Sequence, residues 1–507
     1  MNLQTINIKN NMTGHRHSPL EISKEQFKDM AYGLVDRIAE FLDSVAQNPV
    51  TPGESPKELQ KILGITSLPD NGSPAENIIS NTAELLMQHS LLNGHPKFMG
   101  YITSSPAPIG MLADLLAASV NPNVGAHILS PMATAIEKQT IQWLAEFIGV
   151  PKDYGGILVS GGNMANFTAF LAARTAKAPK KIKEDGLSST SKKLLIYCSK
   201  TTHTWIEKAA ILFGHGSKSI RWIPTETTNK MDIDLLEKTI IKDLKNGHQP
   251  FMVVGTAGDV STGVVDNLKN IASLCKTYDL WFHIDGAYGI PAAIVPELKQ
   301  MFHGLQEADS IALDPHKWLY SPLEAGCTLV KNPKHLTDTY SSHPEYYNFS
   351  KNDHGQALNF YEYGLQNSRG FRALKVWMAL RQVGRNGYLK MIREDIGLSR
   401  LLFQLAKDHE ELEAITQSLS ITTLRFVPQG YGDTSDGNEK YLNTLNEALL
   451  DHLQLGGQVF LSNAIVNHKY CLRGCIVNFR TSKKDIEEII EIIVREGKEI
   501  HQKLSAQ

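Results

Sequence analysis

The chain has 507 residues, enough for about three units of roughly 150 residues and for a sizeable core. Hydrophobic residues make up 42% and charged residues 21%, which excludes disorder along the whole chain. The 51 Lys and Arg nearly balance the 53 Asp and Glu. A net charge of −2 argues against a nucleic-acid groove or a polybasic membrane surface, but not against a local anion pocket.

The stretch from Met1 to Ser18 is polar and lacks the apolar centre of a signal peptide. No run approaches the roughly 18 apolar residues of a membrane-spanning helix, so a soluble, cytoplasmic protein is expected. Ser23 and Gln26 form a capping-box pattern ahead of a helical apolar stripe at Phe27, Met30, Leu34, Ile38, Phe41 and Val45. That stripe must bury itself on the chain's own large domain or on a partner subunit. Breaks at residues 52–56 and 69–74 precede a further helical pattern at 83–92.

From Pro131 onward, helical segments (134–148, 164–173, 268–278) alternate with short apolar runs at 156–159, 194–198, 251–254, 280–284 and 310–313. Such alternation predicts an α/β domain with a largely parallel sheet. Residues 176–193, rich in Lys and Ser, read as a surface loop. Beyond about residue 381, helices at 398–408 and near the C-terminus flank strands at 422–427 and 470–479, which suggests a smaller α+β domain. Thr481 or Ser482 is expected to cap the last helix. The five cysteines are widely spaced, odd in number and without zinc-like partners, so they read as free buried thiols and no metal site is expected.

Four signals carry chemistry. Asp314-Pro315-His316-Lys317-Trp318 places a lysine directly after a strand, where α/β sheets present ligands. His283-Ile284-Asp285-Gly286-Ala287-Tyr288 ends another strand on a carboxylate, which burial leaves in need of a cationic partner. Ser160-Gly161-Gly162-Asn163 forms a Gly-rich turn between strand and helix, suited to a phosphate. His203 follows a fourth strand. Each alone has an ordinary structural reading: a solvated lysine, a turn-capping Asp, a connecting turn, a structural His. Together they match the needs of pyridoxal 5′-phosphate: a phosphate cradle, an amine for its aldehyde, an acid for its ring nitrogen and a flat neighbour for its ring.

In these motifs, and in His95-Pro96-Lys97-Phe98, the chain resembles the group II pyridoxal-phosphate-dependent amino-acid decarboxylases from about His95 to the C-terminus. The resemblance implies a fold-type I architecture: a mostly parallel seven-stranded sheet in a large cofactor domain (86–380), a small C-terminal α+β domain (381–507) and an N-terminal helical arm (1–85). It implies a homodimer with active sites at the subunit interface, and decarboxylation of an L-amino acid, aromatic by family default, to an amine and carbon dioxide. Lys317 matches the Schiff-base lysine, Asp285 the partner of the pyridine nitrogen and His203 the residue stacked on the ring. Gly162, Asn163 and His316 match phosphate-holding positions. Tyr346, with Tyr347 beside it, matches the catalytic-loop tyrosine that returns a proton to Cα. Arg369 and Tyr101 match active-site and substrate-lining positions.

Two departures bear on the substrate. Asp259 and Val260 stand in a stretch that the family usually makes rich in Thr; and in the partner-subunit segment 123–127, Gly125 replaces the bulk seen in animal aromatic decarboxylases, which is expected to open the pocket or admit His127. Other fold-type I enzymes, such as carbon–carbon lyases and aminotransferases, share the Lys, Asp and phosphate elements and differ in product. A silent relative would keep the fold without the reaction.

Overall fold

The structure is a computed structural model that describes residues 18–64, 67–342, 357–432 and 436–506. It divides into two compact units, one from residues 1–48 and 54–90, the other from 49–53 and 91–507.

The first unit is helical. Its α1 (Lys24–Ser44) starts at Ser23, whose hydroxyl accepts from the Gln26 N–H while the Gln26 side chain accepts from the Ser23 N–H. The expected capping box is therefore present. None of the α1 residues is buried, and Phe27, Tyr32 and Val35 stay exposed along it. α2 (Pro56–Leu63) and α3 (Ala75–Gln88) complete the unit.

The second unit opens with α4 (Pro108–Val120) and α5 (Pro131–Ile148). Its main sheet contains β1 (Gly155–Val159), β2 (Leu194–Ser199), β3 (Ile220–Ile223), β4 (Gln249–Thr256), β5 (Trp281–Asp285), β6 (Ser310–Leu313) and β7 (Gly326–Val330). Their order is β1-β7-β6-β5-β4-β2-β3. Pairing is parallel from β6 through β3, and β7 runs antiparallel to both its neighbours. This is the mostly parallel seven-stranded sheet expected. Its strands are continuous apolar runs because helices cover both faces. β3, interrupted by Arg221, and β7, which carries Gly326 and Thr328, show that signature less clearly in the sequence.

A second, antiparallel sheet has the order β10-β11-β9-β8, from β8 (Leu412–Ser418), β9 (Ile421–Phe426), β10 (Ser462–Val466) and β11 (Lys469–Cys475). The helix Ala373–Asp408, bent at Gly384 (φ +66°), packs on both sheets' surroundings, touching α4, α5, β8 and β9. The last helix, Lys483–Ser505, is capped by Ser482, with Asp485 closing the box. Residues 176–193 are not a plain loop, since a short helix at Ile182–Asp185 buries Ile182 there. All five cysteines are free and buried. Among the described residues no helix is long and apolar enough to cross a membrane.

Candidate active site

The carboxyl ends of β4, β5 and β6 face the turn after β1, and a cavity of about 580 Å³ opens between them. Its described lining includes Tyr101, Gly162, Asn163, His203, Asp285, His316 and Lys317. The sequence motifs, separated by over a hundred residues of chain, thus converge because parallel strands deliver all their carboxyl ends to one edge.

The phosphate-sized corner is built from glycine. Gly161 has φ +121°, a conformation that an L side chain rarely adopts, and leads into α6 (Gly162–Lys177). A Cβ on Gly162 would sit 2.6 Å from Asp314 Oδ2, so a side chain there collides with a buried carboxylate. Free backbone N–H groups at the start of a sixteen-residue helix make an anion site.

Lys317 Nζ lies 3.1 Å from Asp314 Oδ2. The other oxygen of Asp314 is buried without a hydrogen-bond partner among the described residues, as is the Thr256 hydroxyl. Trp318, next to the lysine, stacks on Tyr288 (5.1 Å, 13°) and donates to Asp395 at 2.8 Å, which anchors the turn. Asp285 accepts from the Trp205 indole at 2.7 Å and from the Ala287 N–H at 3.2 Å. His203 stands on the cavity wall, where loss of hydration pushes its pKa below the usual value and Asp285 opposes that shift. His316 donates from Nδ1 to the Ala325 carbonyl at 2.7 Å, and burial likewise lowers its pKa.

A model of the pyridoxal-dependent decarboxylase conserved domain matches residues 56–427. The chain belongs to that family. It is a pyridoxal-phosphate-dependent amino-acid decarboxylase. The aromatic-L-amino-acid decarboxylase of Bacillus atrophaeus is 31% identical over 477 residues, covering 94% of this chain and 96% of that one. Tyrosine decarboxylase 3 of Petroselinum crispum is 30% identical over 465 residues, covering 90% and 88%. Among solved structures, Catharanthus roseus tryptophan decarboxylase in complex with L-tryptophan superposes with a TM-score of 0.85 at 25% identity, covering 96% of this chain and 100% of that one.

The residues of the decarboxylase fit its cofactor. A glycine corner at a helix start suits a phosphate, and a buried carboxylate at the end of β5 suits a cationic ring nitrogen. Asp314 and Thr256, which line the same cavity, each have a buried oxygen without a hydrogen-bond partner among the described residues.

The geometry does not bring Arg369 to this cavity. Its guanidinium is buried against Glu137 (2.5 Å), the Val124 carbonyl (2.7 Å) and the Leu158 carbonyl (2.6 Å), with the Phe360 ring 5.0 Å away. Tyr346 and Tyr347 lie outside the described residues. Asp259 lines the cavity, yet its carboxylate is taken up by its own turn, accepting from the N–H groups of Ser261, Thr262 and Val264 and from the Thr262 hydroxyl. At Gly125 a Cβ would lie 2.2 Å from the Asn367 carbonyl oxygen, so close backbone packing accounts for the glycine within the chain. His127 is not among the described residues lining the cavity. Sequence reading missed Asp314 and Trp205 as partners of Lys317 and Asp285. The three-residue spacing of Asp314 from Lys317 was a usable signal; nothing in the sequence pairs Trp205 with Asp285.

Proposed function

We propose that the enzyme removes the carboxylate of an aromatic L-amino acid, releasing the amine and carbon dioxide, as a cytoplasmic homodimer. The observation that carries this reading is the convergence of Lys317, Asp285, His203 and the Gly162 corner on one cavity. Bound pyridoxal phosphate supplies an aldehyde for the substrate amine and a ring that accepts the electron pair freed when carbon dioxide leaves.

The chain's own groups have these parts. Gly162, Asn163 and His316 would hold the phosphate, whose negative charge would favour a proton on His316. Asp285 would pair with the ring nitrogen and His203 would flank the ring. The amine of Lys317, 3.1 Å from the Asp314 carboxylate, would hold the cofactor. By resemblance, Tyr346 returns a proton to Cα.

An aromatic substrate is supported by what the relatives act on and by the cavity rim of Tyr101, Ile102, Val260 and Leu323. Lys317 is the sole Lys or Arg among the described lining residues, which disfavours a second carboxylate on the substrate. The dimer is supported by an apolar face along α4, where Leu112, Leu115, Leu116 and Val120 are each more than half exposed, continued by Ile128, Leu129 and Met132. Surface of that kind is normally covered by a partner. Five free buried thiols suit a reducing compartment.

Purified protein with added pyridoxal phosphate is incubated with tryptophan, tyrosine, phenylalanine and glutamate, and amine and carbon dioxide are measured beside the Lys317→Ala variant. Amine from an aromatic amino acid, lost in the variant, is expected. Amine from glutamate alone, or a keto acid in place of the amine, would overturn the reading.

A further inference from the structure

We propose that Trp205 is a positioning residue for the decarboxylation, its indole N–H fixing the carboxylate of Asp285 in the plane from which it meets the cofactor. The inference rests on the role given to Asp285 above and adds the residue that makes that role rigid.

Trp205 opens the helix Trp205–Leu212 and is fully buried. Its Nε1 donates to Asp285 Oδ2 at 2.7 Å, the length of a charge-assisted bond. The other oxygen of Asp285 receives the Ala287 N–H at a longer 3.2 Å, from its own turn. The indole is thus the anchor that reaches Asp285 from outside its own segment. A buried indole N–H needs an acceptor, and a backbone carbonyl would serve. Here the acceptor is the one carboxylate at the end of β5 that lines the cavity.

The anchor is itself held. The indole meets the edge of His283 at 5.7 Å and 82°. Both nitrogens of that imidazole are engaged, with Ser310 Oγ at 2.8 Å and Asn166 Oδ1 at 2.7 Å. The backbone N–H of Trp205 donates to His203 Nδ1 at 3.3 Å. One three-residue segment therefore places His203 on the cavity wall and grips Asp285 from behind. Without the indole N–H, one carboxylate oxygen loses its side-chain donor and the carboxylate is held about its last torsion by the longer Ala287 bond of its own turn.

The test is a double-variant cycle on the full-length protein, combining Trp205→Phe with Asp285→Asn. The readouts are the dissociation constant for pyridoxal phosphate, the visible circular dichroism of the bound cofactor, and kcat and KM. Trp205→Phe keeps a ring and removes the donor. It is expected to weaken cofactor binding and lower kcat by about ten- to a hundredfold, the worth of one hydrogen bond to a charged group, with a weaker visible band. KM is expected to stay within about threefold of wild type, because no substrate contact is touched. In the Asp285→Asn background the same change is expected to shift cofactor affinity by less than about twofold. The double variant buries no charge in need of a donor, so it keeps the test open if Trp205→Phe alone folds poorly.

Wild-type affinity, visible band and kcat in Trp205→Phe would overturn the proposal. So would an equal loss in both backgrounds, or a lowered melting temperature with an unaltered visible band, since the indole would then only pack. Asp285→Asn with wild-type affinity and kcat would instead remove the role of Asp285 itself.

Discussion

Replacing Arg369 with Met separates two roles for that arginine, one in substrate binding and one in holding the fold. In the structure Arg369 is 3% exposed and Glu137 fully buried, and the guanidinium spans both oxygens of that carboxylate, at 2.5 and 3.2 Å. Glu137 also accepts the Leu158 N–H at 3.0 Å, so the pair holds β1, the strand that leads into the glycine corner. Met fills the space and leaves Glu137 as an uncompensated buried charge, which costs about 3–5 kcal/mol. Against a total stability of roughly 5–15 kcal/mol, that is a large fraction. The assay is urea unfolding followed by tryptophan fluorescence, alongside KM for the amino acid. A clear drop in the urea midpoint is expected. Glu137→Met combined with Arg369→Met is expected to recover at least about half of the loss, because no charge is then buried alone. A wild-type midpoint with KM raised about tenfold would refute the reasoning and return Arg369 to the substrate.

Gly125→Ala drives a Cβ to 2.2 Å from the Asn367 carbonyl in a segment also tied by the bond from the Tyr361 N–H to the Gly125 carbonyl. A loss of about 1–3 kcal/mol in thermal or urea unfolding is expected; wild-type stability with a changed substrate preference would contradict the packing explanation. His215 lies against Phe170 and Phe251, and burial, aided by the charge of Arg174, pushes its pKa down to about 4. Its folded-state pKa is below the unfolded value near 6.5, so the unfolded chain binds the extra proton and His215 costs stability as pH falls from about 6.5 to 4. His215→Phe removes this cost, and its stability relative to wild type is expected to improve by about 2 kcal/mol between pH 7 and pH 5; a pH-independent difference would contradict it.

Much of the fold was legible because strands covered on both faces are unbroken apolar runs, and β1, β2, β4, β5 and β6 all read that way. Lys317 and Asp285 were legible for the same reason, as polar residues placed directly after such runs. β8 and β10 were not, since each mixes apolar and polar residues in a small sheet with one face less covered. The partners of the site residues were hidden by distance along the chain. Nothing local in Trp205 points to Asp285, or in Glu137 to Arg369, because three-dimensional closure alone brings them together. Gly125 illustrates the limit of reading a missing side chain as space: the space is filled by another backbone.

The position of β7 has a consequence for how the working molecule is made. β1 lies at the sheet's edge and is paired to the rest of the sheet through β7 alone, where a Cβ on Gly326 would lie 2.6 Å from the Gly161 backbone. A chain that ends before Gly326 therefore keeps Lys317 but lacks the one strand that ties β1, and with it the turn into the glycine corner, to the rest of the large sheet.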